Sequence, residues 1–244
     1  MLSLLAILPS IVLFIIVWKG DTIEKEPPKL LRRLFFFGAL STVSAMIIGV
    51  AGTSFTKMFL SEGSLIYAVI DNFIITALVE EGGKYFVLKK CTWKHNAFNY
   101  TFDGVVYAVV TSLGFATLEN ILYLIDGDLG TAFMRGILSV PGHVIDAIYM
   151  GCYYGLARYE AACGNEAQSK KNLRKALLVP IIIHGFYDFC LSTEYGILLL
   201  VFLIFEIVIT ILAVKKFKML SRDDHAIPGT DSDAENTEVS DNTP

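Results

Sequence analysis

Long apolar runs constrain this chain more than any other feature. About 20 consecutive apolar residues in a helix cross a bilayer core, and runs of that order fall at residues 2–18, 34–55, 64–88, 103–124, 131–157, 176–192 and 195–214. A mean hydropathy of +0.57, with 54% hydrophobic residues, is far from the balance of a soluble globular domain. The expected fold is all-α: a polytopic transmembrane helical bundle of about seven helices over residues 1–220. The first run lacks a basic n-region and a small-residue cleavage site and leads directly into "WKGDTIEKEPPKLLRR", so it reads as a retained anchor and not a cleaved signal peptide.

Lysine and arginine set the orientation, because they collect in cytoplasmic loops. Segments 19–33, 89–99, 158–175 and the stretch after 214 hold five, three, five and four of them, seventeen of the twenty in the chain. This bias predicts an N-terminus outside and a C-terminus in the cytoplasm. From Ser221 onward the sequence is acidic and poor in apolar residues, so 221–244 is expected to be a disordered cytoplasmic tail. The net charge of −4 owes much to this tail and does not point to nucleic acid. Cys91 and Cys163 fall in cytoplasmic loops, Cys152 and Cys190 in helices, and no CxxC pair occurs; no disulfide framework is implied. No internal repeat is visible.

Ionisable groups inside membrane spans are costly and usually face a protein-lined or watery interior. Here they concentrate on four consecutive helices: Glu80, Glu81 and Lys84 on the third; Glu119 beside Asn120 on the fourth; Arg135, His143 and Asp146 on the fifth; His184 and Asp188 on the sixth. That concentration suggests one shared interior site. Glu80 and Lys84, like His184 and Asp188, are spaced i,i+4, so each pair lies on one helix face. The lysine would hold one carboxylate charged while the other becomes a base; the aspartate would fix the histidine's tautomer. Gly82 and Gly83 would leave room for water or substrate backbone, and Pro141 should break or kink the fifth helix. Blander readings compete. Either i,i+4 pair can be a structural clasp, and Arg135 and Asp146 divide evenly between structural pairing and site support. Gly151 and Gly155 read as helix-packing contacts. Interfacial solvation accounts for Asp71 and Asp103, and Glu206 on the seventh helix reads as a packing oddity.

At this point "EEGGK" (EExxK), "FATLEN" (FxxxEN, 115–120) and "HGFYD" (HxxxD, 184–188), with His143 between the last two, carry a resemblance. In this order, each on an expected helix, they resemble the PrsW family of intramembrane proteases, which is related to the CAAX prenyl endopeptidases and to bacteriocin-processing and immunity membrane proteins. The resemblance covers about residues 1–215. It implies a multi-pass protein of a bacterial plasma membrane that hydrolyses a peptide bond of a membrane-anchored partner, and first-site cleavage of an anti-sigma factor in envelope-stress signalling. It also implies catalytic roles for Glu80, Glu81 and His184.

The physical reading adds His143 and Glu119 to the catalytic set and Lys84, Asn120 and Asp188 as supports. A glutamate would deprotonate water while His184 or His143 stabilises the oxyanion; either glutamate can serve. Counted from the cytoplasmic helix ends at about 1.5 Å per residue, Glu80 and His184 lie at roughly 12 Å but His143 and Glu119 nearer 20–25 Å, a mismatch in depth. Glu80 or Glu81 with His143 and His184 could instead ligate zinc. The chain has no HExxH, however, and Lys84 sets a cation beside those ligands, so the expected mechanism uses no metal and zinc is the alternative. A proton- or ion-coupled transporter is the competing class, and a catalytically dead peptide-binding protein a third.

Overall fold

The computed structural model describes residues 2–125, 130, 134–193 and 195–230, with side chains from Ile7 onward. Among these, seven helices follow the seven apolar runs. They are α1 (Leu2–Gly20), α2 (Pro28–Lys57), α3 (65–92), α4 (Asp103–Tyr123), α5 (135–162), α6 (Glu166–Ser192) and α7 (Gly196–Arg222). The described residues contain no strand, only an isolated bridge between Tyr100 and Ala226. Helices α2, α4, α6 and α7 are each long and apolar enough to cross a bilayer, and α1 adds a shorter apolar stretch, Ile7–Gly20. Helices α3 and α5 carry most of the intramembrane charge. The chain is a multi-pass membrane protein.

Helix α4 is the axis of the bundle. It is buried on every side from Asp103 to Thr117, as expected of a helix apolar all round that is surrounded by others. Its neighbours α2 and α5 come in at backbone contact. A Cβ on Gly38 would lie 2.1 Å from the Thr111 carbonyl oxygen, and one on Gly151 would lie 2.4 Å from Val105 Cα. In lipid, where no hydrophobic force drives helices together, such close approach supplies the packing; the expectation for Gly151 and Gly155 is met. At the periphery α7 buries only Phe202 and Ala213, while Ile207, Ile211 and most of its other apolar side chains are exposed, the surface a lipid-facing helix presents.

Two helices are not regular. Helix α3 runs through π-helical turns at Ile70–Ala77 before resuming as Leu78–Thr92, and α5 opens with π turns at Arg135–Ser139 before Val140–Ala162. Pro141 therefore does not break α5: it stands where the π turns end, where the wider turn leaves backbone groups unpaired in any case. The π segments precede Glu80, Glu81 and Lys84 on α3 and His143 and Asp146 on α5, a placement common at functional sites.

Three of the four basic segments, 19–33, 89–99 and the stretch after 214, are joined by hydrogen bonds. Ser221 Oγ donates to the Gly20 carbonyl, Thr101 N to His225 O at 3.0 Å and Ile227 N to Asn99 O at 2.7 Å. Ile227 is fully buried. The segment expected to be a disordered tail from Ser221 is thus bound to the bundle as far as Ile227, and 231–244 lie outside the described residues. Asp103 is not solvated either: it is 1% exposed and accepts from the backbone N–H groups of Asn99 and Tyr100 at 3.0 and 2.8 Å.

Beneath this cap Glu26, 1% exposed, accepts from the Tyr107 hydroxyl and lies against Asp103. Burial pushes its pKa up to about 7, only partly countered by Tyr107 and Asp103, with Asp21 and Glu24 adding to the rise; Asp21 is raised to about 6 for the same reason, offset in part by Lys25. A carboxyl whose folded pKa lies above its unfolded value binds more protons when folded, so stability falls as pH rises through the interval between the two. Stability is therefore expected to decline from about pH 4.5 to about pH 7 by on the order of 3 kcal/mol from Glu26 alone. Thermal unfolding in detergent should show Glu26→Gln flattening this dependence and stabilising the protein at pH 8.

Candidate active site

All eight residues singled out from the sequence come together, contributed by α3, α4, α5 and α6. Glu81 is fully buried and accepts from Lys84 Nζ at 2.6 Å, while Glu80 lies 3.8 Å from the same ammonium. The lysine thus clasps its i−3 partner more tightly than its i−4 partner. Lys84 Nζ also meets His143 Nδ1 at 3.0 Å and lies 4.2 Å from the Phe115 ring centroid. His143 Nε2 is 2.9 Å from Glu119 Oε2, and Arg135 Nη2 reaches the same oxygen at 2.7 Å. Arg135 Nε donates to Asn120 Oδ1 at 3.0 Å, with the guanidinium 3.7 Å from the Tyr123 ring centroid. His184 Nδ1 faces Glu81 at 2.8 Å and Asp146 at 3.5 Å; its Nε2 faces Asp188 at 3.2 Å and Glu80 at 3.8 Å. The two histidine rings are 5.4 Å apart.

The mismatch in depth disappears in the direct contacts. Helix α3 continues to Thr92 and α6 begins at Glu166, so the helices end at different heights, and Glu80, Glu119 and His143 offer donor atoms within 4.8 Å of one another while the His143 and His184 rings are 5.4 Å apart. Arg135 and Asp146 prove to be part of the cluster. Gly82 and Gly83 are not where the sequence suggested: neither lines the site, and a Cβ at Gly82 would meet nothing while one at Gly83 would touch only Ser41 Cβ at 3.6 Å.

A cavity of about 380 Å³ opens onto this cluster. Glu80, Glu119, His143, Asp146, His184 and Asp188 line it, and Glu81 does not. Phe205, Glu206 and Ile209 of α7 form a further part of its wall. The placement of Glu206 corrects its reading as a packing oddity. Because α7 is apolar on every face, its periodicity carried no sign of which side turns inward.

Five carboxylates, Glu80, Glu81, Glu119, Asp146 and Asp188, face only Lys84 and Arg135 as permanent cations. Such an excess of buried acid calls for protons or a bound cation. Glu81, His143, Asp146 and His184 each offer one donor atom within 4.8 Å of the others, and Glu80, Glu119 and His143 do the same. Buried oxygens on Glu80, Glu81 and Asp146 have no hydrogen-bond partner. Two imidazoles with two carboxylates suit a divalent metal such as zinc. The residues fit one, although Lys84 already touches two of the four donors.

The family profile described as PrsW family intramembrane metalloprotease matches residues 26–214. The chain belongs to the PrsW family. The Protease PrsW of Oceanobacillus iheyensis is 35% identical to it over 220 residues, 88% of this chain and 96% of the relative. That of Bacillus subtilis is 37% identical over 193 residues, 76% and 80%, and that of Clostridioides difficile 32% identical over 212, 85% and 86%. No solved structure matches the chain. This PrsW family member is a membrane protease, not a transporter, and its substrates are membrane proteins in a lipid bilayer.

Proposed function

We propose that the protein hydrolyses a peptide bond of a single-pass membrane protein in the cavity between α3 and α6, with Glu80 as general base. An anti-sigma factor is the substrate class to which the family resemblance points. The single observation that carries the assignment is the contrast between the two glutamates. Glu80 lines the cavity and has no ion-pair contact closer than 3.8 Å, whereas Glu81 does not line it and is held by Lys84 and His184 at 2.6 and 2.8 Å. Glu80 takes a proton from water as its oxygen attacks the scissile carbonyl. The carbonyl's π electrons move onto oxygen, and when the tetrahedral adduct collapses the C–N bond breaks and the proton passes to the leaving amine. His184, fixed from both ring nitrogens by carboxylates, orients Glu80; without a metal it would present positive charge to the developing oxyanion, and as a metal ligand it would be neutral and leave that role to the ion. Glu119, braced by Arg135, holds His143 in place.

A divalent ion held by Glu81, His143, Asp146 and His184 would supply a Lewis acid that polarises the carbonyl. The acid excess and the unpartnered oxygens favour it over the metal-free mechanism expected from sequence. Purified protein incubated with a synthetic single-pass peptide should yield a new amino terminus, seen by mass spectrometry. Prolonged treatment with a strong zinc chelator should abolish that product, stoichiometric zinc should restore it, and metal analysis should find the ion in the active fraction alone. Full activity in metal-stripped protein would leave Lys84 as the cation of the site and return the mechanism to the glutamate alone. No product from any peptide would overturn the protease assignment at this cavity.

A further inference from the structure

Glu206 is the one carboxylate on the cavity wall that the chemistry above does not use. It projects from the middle of α7, about 15 Å along the helix from Gly196, and lines the same cavity as Glu80, His184 and Asp188. Aromatic contacts of its own helix flank it: Phe205 packs against Phe186 at 4.8 Å and Phe202 against Tyr187 at 5.0 Å between ring centroids. Those contacts fix the rotation of α7 and so keep Glu206 turned inward.

Each of the other carboxylates lining the cavity has an ion pair to a lysine, arginine or histidine. Among the described residues, Glu206 has neither an ion pair nor a hydrogen bond. Among the described residues no cation pairs with it: Lys84 is taken up by Glu81 and His143, and Arg135 by Glu119, Asn120 and Ser139. An ionisable group at membrane depth is costly unless paired, and this one faces a cavity large enough for a side chain. The cavity already carries excess acid, so its field attracts cations and repels anions. Lysine and arginine have the reach to bring charge to such a group while their stems lie along apolar wall, which here is Phe205 and Ile209.

We propose that Glu206 is a specificity-determining subsite that accepts a lysine or arginine side chain of the substrate's membrane segment. The proposal rests on the reading of this cavity as a peptide-hydrolysing site, but binding can be measured without cleavage. The probe is a set of fluorescent single-pass peptides in which one lysine replaces methionine at successive positions, titrated into Glu80→Gln protein in nanodiscs. At one register the lysine peptide should bind about tenfold tighter than its methionine parent. Adding Glu206→Gln should erase that preference and leave the methionine peptide's affinity unchanged, while Glu206→Lys should transfer the preference to a peptide with glutamate at that register. No lysine preference at any position, a preference that survives Glu206→Gln, or equal loss for both peptides would each overturn the proposal. With wild-type protein, cleavage of the preferred peptide joins the two readings. A lysine preference dependent on Glu206 without any cleavage retains the subsite and removes the hydrolytic reading alone.

Discussion

Glu80→Gln is expected to lower kcat for peptide hydrolysis by about 10²–10⁴-fold with KM nearly unchanged. The amide keeps the size of the carboxylate and loses only its basicity, and Glu80 holds no tight ion pair, its distances to Lys84 and His184 both being 3.8 Å. Membrane abundance and thermal stability should therefore match those of wild type. Glu81→Gln should behave differently. It removes the negative charge that Lys84 and His184 face at 2.6 and 2.8 Å and leaves only a neutral amide oxygen to accept, and an uncompensated buried charge costs about 3–5 kcal/mol. Loss of activity in Glu81→Gln should come with loss of folded protein, and His184→Ala, which unpairs Asp146 and Asp188 at once, should be inactive at any abundance. Steady-state kinetics paired with thermal unfolding in detergent separates the cases. A stable, inactive Glu81→Gln beside an active Glu80→Gln would exchange the two roles.

Gly151→Val is expected to prevent α5 from docking on α4. A Cβ at Gly151 would lie 2.4 Å from Val105 Cα and 2.5 Å from the Gly104 carbonyl oxygen, and these obstacles are backbone, which cannot rotate aside as a side chain can. Overpacking in a core costs about 1–3 kcal/mol and sometimes more; here the whole helix must move, taking His143 and Asp146 out of the site. Membrane abundance should fall several-fold, and the surviving protein should lack peptidase activity. Gly82→Ala is the control, since its Cβ would meet open space; it should accumulate normally. Quantitative immunoblotting of membranes checks both, and normal accumulation of Gly151→Val would show that the α4–α5 crossing is looser than described.

Membership in the helical class was legible in the apolar runs because hydrocarbon leaves a long apolar segment few alternatives. The polar residues of the site were legible for a related reason: charge at that depth is so costly that Glu80, Glu81, Lys84, Glu119, His143, His184 and Asp188 stand out against their surroundings. The same argument failed for Glu206, since cost alone does not say which way a side chain points. Helix ends were misjudged wherever a helix leaves the membrane. Nothing in the apolar pattern of 176–192 announces that α6 begins at Glu166, and the depth mismatch between His184 and His143 followed from that.

By itself, then, the sequence determined that this chain is a bundle of membrane helices and that its acids, lysine and histidines belong to one interior, because both follow from the free energy of single residues in lipid. The tertiary structure decided which glutamate faces the cavity, that Lys84 clasps Glu81, that Arg135 braces Glu119, and that Glu206 turns inward. These are facts about helix rotation and register. They depend on where α4 lets its neighbours approach at Gly38 and Gly151, and on the π turns at Ile70–Ala77 and Arg135–Ser139, which shift the angular position of every residue beyond them. No residue's own preference encodes that shift; it is set by the packing of several helices at once.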